Sequence, residues 1–214
     1  MNLRVCPPDG RVHISAPRRL DLETIRVFAA SKLEWIKKQK VAVSERSRKP
    51  LPQFTNRECH YYNGKPYRLE VVEVAATPKV EMQNDSLVLY VRPGSTMEKR
   101  RNILEAWYRS QLNNALPELI VKWEKVMNLS VSQFGIRKMK TRWGSCNRGA
   151  GRIWLSLELA QKSPECLEYV LVHEMVHFLE RKHNAVFYNY MDKYSPRWRF
   201  IKTELNGRPV QHED

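Results

Sequence analysis

Residues 166–179, CLEYVLVHEMVHFL, restrict what this chain can fold into more than any other stretch. Leu167, Val170, Leu171, Val172, Met175, Val176, Phe178 and Leu179 leave a helix almost no polar side, so the segment belongs in an interior. Yet it carries His173, Glu174 and His177, and burying such groups costs free energy unless each is satisfied. The start of the helix is marked as clearly as its burial. Ser163 can cap it, Pro164 suits the first helical position, and Glu165 and Glu168 lie near the positive end of the dipole.

On this helix His173 and His177 lie one turn apart and differ by only about 40° in direction, so both imidazoles can aim at one point. Glu174 is turned about 100° away, off the ligand pair but beside the place where a metal-bound water would sit. Neutral imidazole suits zinc, and a catalytic Zn2+ keeps three protein ligands plus water. The metal lowers that water's pKa to about 7, so a carboxylate can take its proton and return it to a leaving amine. The motif HEMVH therefore contains, in order, the parts of metal-assisted peptide hydrolysis, with Glu174 as general base.

The third ligand requires the helix to stop. His183 would lie about 240° from His177 on a continuous helix, so the chain must turn between Glu180 and Lys182. Glu180 stands where metzincins place a turn-making glycine, so the reversal needs another route. Asn184 can supply it, either in a left-handed conformation or as cap of the next helix. His183 is the favoured third ligand, with the downstream carboxylates Asp192 and Glu204 as competitors.

The rest of the chain reads as a mixed α+β protein. LRV and RVHIS alternate as two strands around a Pro8-Asp9-Gly10 turn. Leu22, Ile25, Phe28, Ala29, Leu33 and Ile36 recur at the spacing of one buried helix face after Asp21, and SERSRKPLPQ reads as a loop. Two β-rich runs broken at Asn63-Gly64 and Asn84-Asp85 predict hairpins of an antiparallel sheet. Ser95 and Glu98 form a capping box for a helix from Thr96 that turns Ile103, Leu104, Trp107 and Leu112 inward, and Pro117 should kink or end it. Then follow a strand over 134–140, a loop over 141–151, a strand over 152–157 and the HEMVH helix; a helix to about Lys193 and a short one to Leu205 close the chain. The expected organisation is a β-hairpin-rich part with one helix, 1–92, and a part holding the metal helix packed on a small sheet, 93–214.

Composition narrows the setting. The net charge is +14, and the run from Lys125 to Leu157 contains seven basic residues and no acidic one, a stretch suited to a polyanion or an acidic substrate. A basic nucleic-acid-associated protein with a structural or vestigial zinc site is therefore the competing reading. Cys6, Cys59, Cys146 and Cys166 form no CxxC pair, which fits a reduced compartment. No apolar run approaches the roughly 18 residues that span a bilayer and no signal-peptide stretch opens the chain, so a cytoplasmic protein without membrane contact is expected. Strand 152–157 could pair with an extended peptide, and Tyr188, Tyr190 and Tyr194 each offer a phenol to an oxyanion. Cys146 has no histidine arrangement that would make it a nucleophile.

MKTRWGSC (139–146), RIWLSLELA (152–160), CLEYVLVHEMVHFLERKHNAVF (166–187) and the Pro196 and Trp198 element together resemble the YgjP-like metallopeptidase family, zincin-like and related to the SprT-like proteases. KLEWIKK (32–38) and YYNGKPYRLEV (61–71) extend the resemblance over most of the chain. It implies a zincin-like core and a zinc peptidase acting on a protein or peptide, with His173, His177 and His183 as ligands and Glu174 as base. Some SprT-like relatives act on DNA-attached proteins, which the basic charge would suit.

Overall fold

Alternating apolar residues build the first elements. The protein is described by a computed structural model over residues 1–6, 10–48 and 52–207. Strands β1 (Asn2–Cys6) and β2 (Arg11–Ser15) pair antiparallel, with Leu3 opposite Ile14 and Val5 opposite Val12 on one half-buried face. Residues 7–9 of the expected turn lie outside the described residues. Helix α1 (Leu22–Ser31) starts where the Asp21 carboxylate accepts the Thr24 N–H at 2.6 Å.

The one helix expected after Asp21 is two. It ends at Lys32, and α2 (Leu33–Arg48) begins at once, running through residues expected to be loop. The break splits the apolar stripe between two axes, so Leu22 and Leu33 are exposed and Ile36 is buried. Arg and Glu in SERSR are good helix formers, which lets α2 extend through them.

The chain divides into two compact units, Met1–Leu51 and Pro52–His212. In the second unit β3 (Cys59–Tyr62) and β4 (Lys65–Glu73) form a hairpin whose Asn63 and Gly64 both have positive φ, 48° and 78°, as the tight two-residue turn requires. Strands β5 (Lys79–Gln83) and β6 (Ser86–Val91) form the second hairpin. The sheet is not wholly antiparallel as expected. Its order is β3-β4-β6-β5, and β4 and β6 run parallel, because residues 74–78 carry the chain past the β6 position before β5 turns back.

Helix α3 (Met97–Met127) is capped by Thr96, whose hydroxyl accepts the Lys99 N–H; Ser95 instead accepts from Arg100. It is one 31-residue helix with Pro117 inside it. Pro117 and Asn113, the residue whose carbonyl loses its partner, are both exposed, so water can satisfy the freed group and the helix continues. Leu104, Tyr108, Leu112, Leu116 and Ile120 repeat every fourth residue and are buried, with Ile103 and Trp107 packed beside them.

A second sheet, order β7-β9-β8, joins β7 (Gln133–Arg137), β8 (Gly144–Asn147) and β9 (Arg152–Ser156). β8 forms inside the stretch expected to be loop, because Gly144 to Asn147 pair antiparallel with β9. A 3-10 turn, Leu157–Gln161, leads to α4 (Pro164–Leu179), which packs on β8 and β9. Helices α5 (Ala185–Tyr194) and α6 (Trp198–Gly207) pack on α4. Leu69 and Leu89 of the first sheet, Leu116 of α3, Ile153 and Leu155 of β9 and Leu171 and Met175 of α4 share one core. Among the described residues no helix is long and apolar enough to cross a membrane.

Candidate metal centre

The start of α4 follows its local sequence. Ser163 accepts the Cys166 N–H, Pro164 takes the first turn, and Glu168 accepts from Trp123 Nε1 at 2.9 Å and pairs with Lys122 at 2.6 Å, joining α4 to α3. The Gly64 turn abuts this cap: a Cβ on Gly64 would meet Ser163 N at 3.1 Å.

His173, His177 and His183 come together, with one ring nitrogen from each lying within 4.8 Å of the others. Nε2 of His173 and Nε2 of His183 are 3.2 Å apart, so two ring nitrogens face one point. His177 Nδ1 lies 3.2 Å from the Glu180 carbonyl; in the tautomer that donates this hydrogen bond, Nε2 keeps its lone pair for the cluster. Burial first, and then the neighbouring imidazoles, push His173 down to about 3, and His183 is lowered for the same reasons. Neutral imidazole is the form a zinc ion takes up, and the number and spacing of the three rings fit such an ion.

The turn that delivers His183 uses no glycine and no left-handed residue. Helix α4 ends at Glu180 in an extended conformation, φ −135° and ψ 119°, and the Glu180 carboxylate accepts the Lys182 N–H at 2.8 Å. Asn184 then caps α5 by accepting the Phe187 N–H at 3.0 Å, with φ −103°. Of the two routes open to Asn184, the cap is the one taken. Phe187, 1% exposed, thereby lies beneath the cluster, its ring centroid 5.0, 4.8 and 4.5 Å from those of His173, His177 and His183.

The competing carboxylates are engaged elsewhere. Asp192 accepts from Trp198 Nε1 at 2.7 Å and from Arg199, and Glu204 accepts from Ser163 Oγ at 3.0 Å. Glu174 is 6% exposed, and burial pushes its carboxyl up to about 8, with Arg142 opposing the rise. It lies against β8: a Cβ on Gly144 would come within 2.7 Å of Glu174 Cγ and Oε1.

The three histidines and Glu174 line a cleft of about 960 Å³ together with residues 142–149, Tyr169, Arg181 and Lys202. The TRWGSCNRGAG stretch thus forms one wall of the site. Trp143 anchors that wall, donating from Nε1 to Asn206 at 3.2 Å while Lys162 Nζ lies 5.3 Å from its ring centre. Strand 152–157 is not available to a peptide, because β9 lies between β7 and β8; the edge strand whose residues line the cleft is β8. The tyrosine in the cleft is Tyr169, one turn before His173. Tyr188 stacks on Trp198 and Tyr190 on Tyr194, and none of the three downstream phenols lines the cleft. Cys146 does line it, but burial pushes its thiol up to about 11, which suits no nucleophile.

Tyr169 and Phe187 were not singled out from sequence. A phenol one turn before the first histidine of a buried helix was the one legible signal among them.

The family model described as YgjP-like, metallopeptidase domain, matches residues 1–208. Among solved structures, the crystal structure of the metallopeptidase zymogen of Pyrococcus abyssi abylysin is similar at 20% identity and a TM-score of 0.39, covering 44% of this chain and 96% of that one. No curated protein matches.

Proposed function

The chain belongs to the YgjP-like metallopeptidase family, and from that premise we propose a zinc peptidase in which His173, His177 and His183 hold the metal and Glu174 is the general base. The observation that carries this reading is the convergence of three imidazoles on one point beside a buried carboxylate in the same cleft.

Zinc held there supplies Lewis acidity toward a substrate carbonyl and toward water. Burial raises the Glu174 carboxyl, and a cation held by the imidazoles would favour its ionised form. Glu174 then takes the proton from the attacking water and returns it to the leaving amine. The His177 Nδ1 contact with the Glu180 carbonyl holds that ring in register, and Phe187 packs beneath all three imidazoles. An extended peptide would pair with the edge strand β8, which runs beside Glu174.

The test joins metal content to turnover. Glu174→Gln should keep one zinc per chain while proteolysis falls about a hundred- to ten-thousand-fold. His183→Ala should lose the zinc, and chelation of the wild type should abolish cleavage that added zinc restores. Unchanged turnover in Glu174→Gln would refute the mechanism, and full zinc occupancy in His183→Ala would refute the ligand set.

A further inference from the structure

Four cations line the cleft, Arg142, Arg148, Arg181 and Lys202, against the single carboxylate of Glu174. The chain as a whole has 37 Lys+Arg to 23 Asp+Glu, so the cleft is more one-sided than the protein. All four cations are exposed, and among the described residues none forms an ion pair. Elsewhere in the same unit several cations are matched: Arg100 with Glu73, Lys122 with Glu168, Lys138 with Glu105, Arg197 with Glu165 and Arg199 with Asp192.

Arg142 precedes and Arg148 follows β8, so they bracket the edge strand whose residues line the cleft. Arg181 stands just past the end of α4, and Lys202 comes from α6. Arg142 lies close enough to Glu174 to act on it, and Lys202 close enough to His173 and His183 to oppose their protonation. Arg148 and Arg181 have no such neighbour among the reacting groups. Like charges gathered around a concave site repel one another and focus a positive field into it, and an anionic ligand relieves both effects.

We propose that the cleft selects peptide segments with acidic side chains on either side of the cut bond, and that Arg148 and Arg181 are the residues that read them. This rests on the peptidase reading and adds its substrate class. Of the basic run from Lys125 to Leu157, Arg142 and Arg148 thereby acquire a partner of defined chemistry.

The experiment uses the full zinc-loaded chain and two internally quenched peptide mixtures of equal length, randomised among apolar residues at the centre. One carries Glu at two positions on each side and the other Gln. The Glu mixture should show a kcat/KM about tenfold higher, mostly through KM, and the advantage should fade between about 0.05 and 0.5 M salt. In Arg148→Gln/Arg181→Gln the ratio of the two rates should fall toward one, whereas Lys125→Gln, off the cleft, should keep both rates and their ratio. Equal cleavage of both mixtures by the wild type overturns the proposal and leaves the peptidase reading standing; cleavage of neither overturns both. A preference that survives the double substitution also overturns it. So does equal cleavage that a single-stranded oligonucleotide blocks in the wild type but not in the double variant, since the cations would then serve nucleic acid.

Discussion

Glu174 sits where one added methyl group would disturb it. A Cβ at Gly144 would come within 2.7 Å of its Cγ and Oε1, and on the other side α4 is fixed in the core. Gly144→Ala should therefore displace the carboxylate and lower kcat about 100-fold, with zinc content unchanged, since the three atoms nearest the added Cβ all belong to Glu174. Gly207→Ala, where a Cβ meets open space, is the matched control and should keep its rate. Wild-type kcat in Gly144→Ala would show that the wall does not position the base. The requirement for glycine here was invisible in the sequence, because the residue that needs the space lies thirty positions away and meets it only through packing.

At the scale of elements, the hinge between α4 and α5 decides whether the third histidine arrives. Asn184 sets the start of α5, and that start sets both His183 before it and Phe187 within its first turn. Asn184→Ala should cost about 1 kcal/mol in urea unfolding of the metal-free protein. It should also weaken zinc binding by more than a distant cap removal such as Asp21→Ala, measured by competition with a chromophoric chelator. Equal zinc affinity in the two variants would mean that the turn is held by Glu180 and its neighbours alone. The boundaries of α4 and α5 were legible because Ser163, Pro164 and Asn184 act locally. The fate of Pro117 was not. Proline lacks a backbone donor wherever it stands, but whether the freed carbonyl is tolerated depends on which face of the helix meets water.

At the scale of the whole molecule, one buried histidine outside the cleft couples folding to pH. His60, 7% exposed, contacts the Phe54 ring and lies 3.8 Å from Glu58. Burial lowers its pKa from 6.5, with the Glu58 carboxylate pulling the other way. The unfolded chain therefore takes up a proton first. Stability attributable to His60 is full above 6.5 and is lost as the pH falls through the lowered folded value. Wild type should lose more unfolding free energy between neutral pH and about pH 5 than His60→Gln does. Parallel stability curves would remove the linkage.

Sequence alone determined what is local or periodic: the buried α4 helix, its cap, the aim of His173 and His177, the need for a break before His183, and the tight turn at Asn63 and Gly64. Each is set by backbone preferences or by spacing along one element, and both are written in neighbouring residues. Tertiary structure decided what depends on meetings across the chain. It placed β8 rather than β9 at the cleft edge and joined β4 to β6 in parallel. It drew Asp192 and Glu204 into other bonds, set Phe187 under the imidazoles, and lined the cleft with cations from three separate stretches of the chain. Periodicity shows which face of an element is buried, but not which other element covers it.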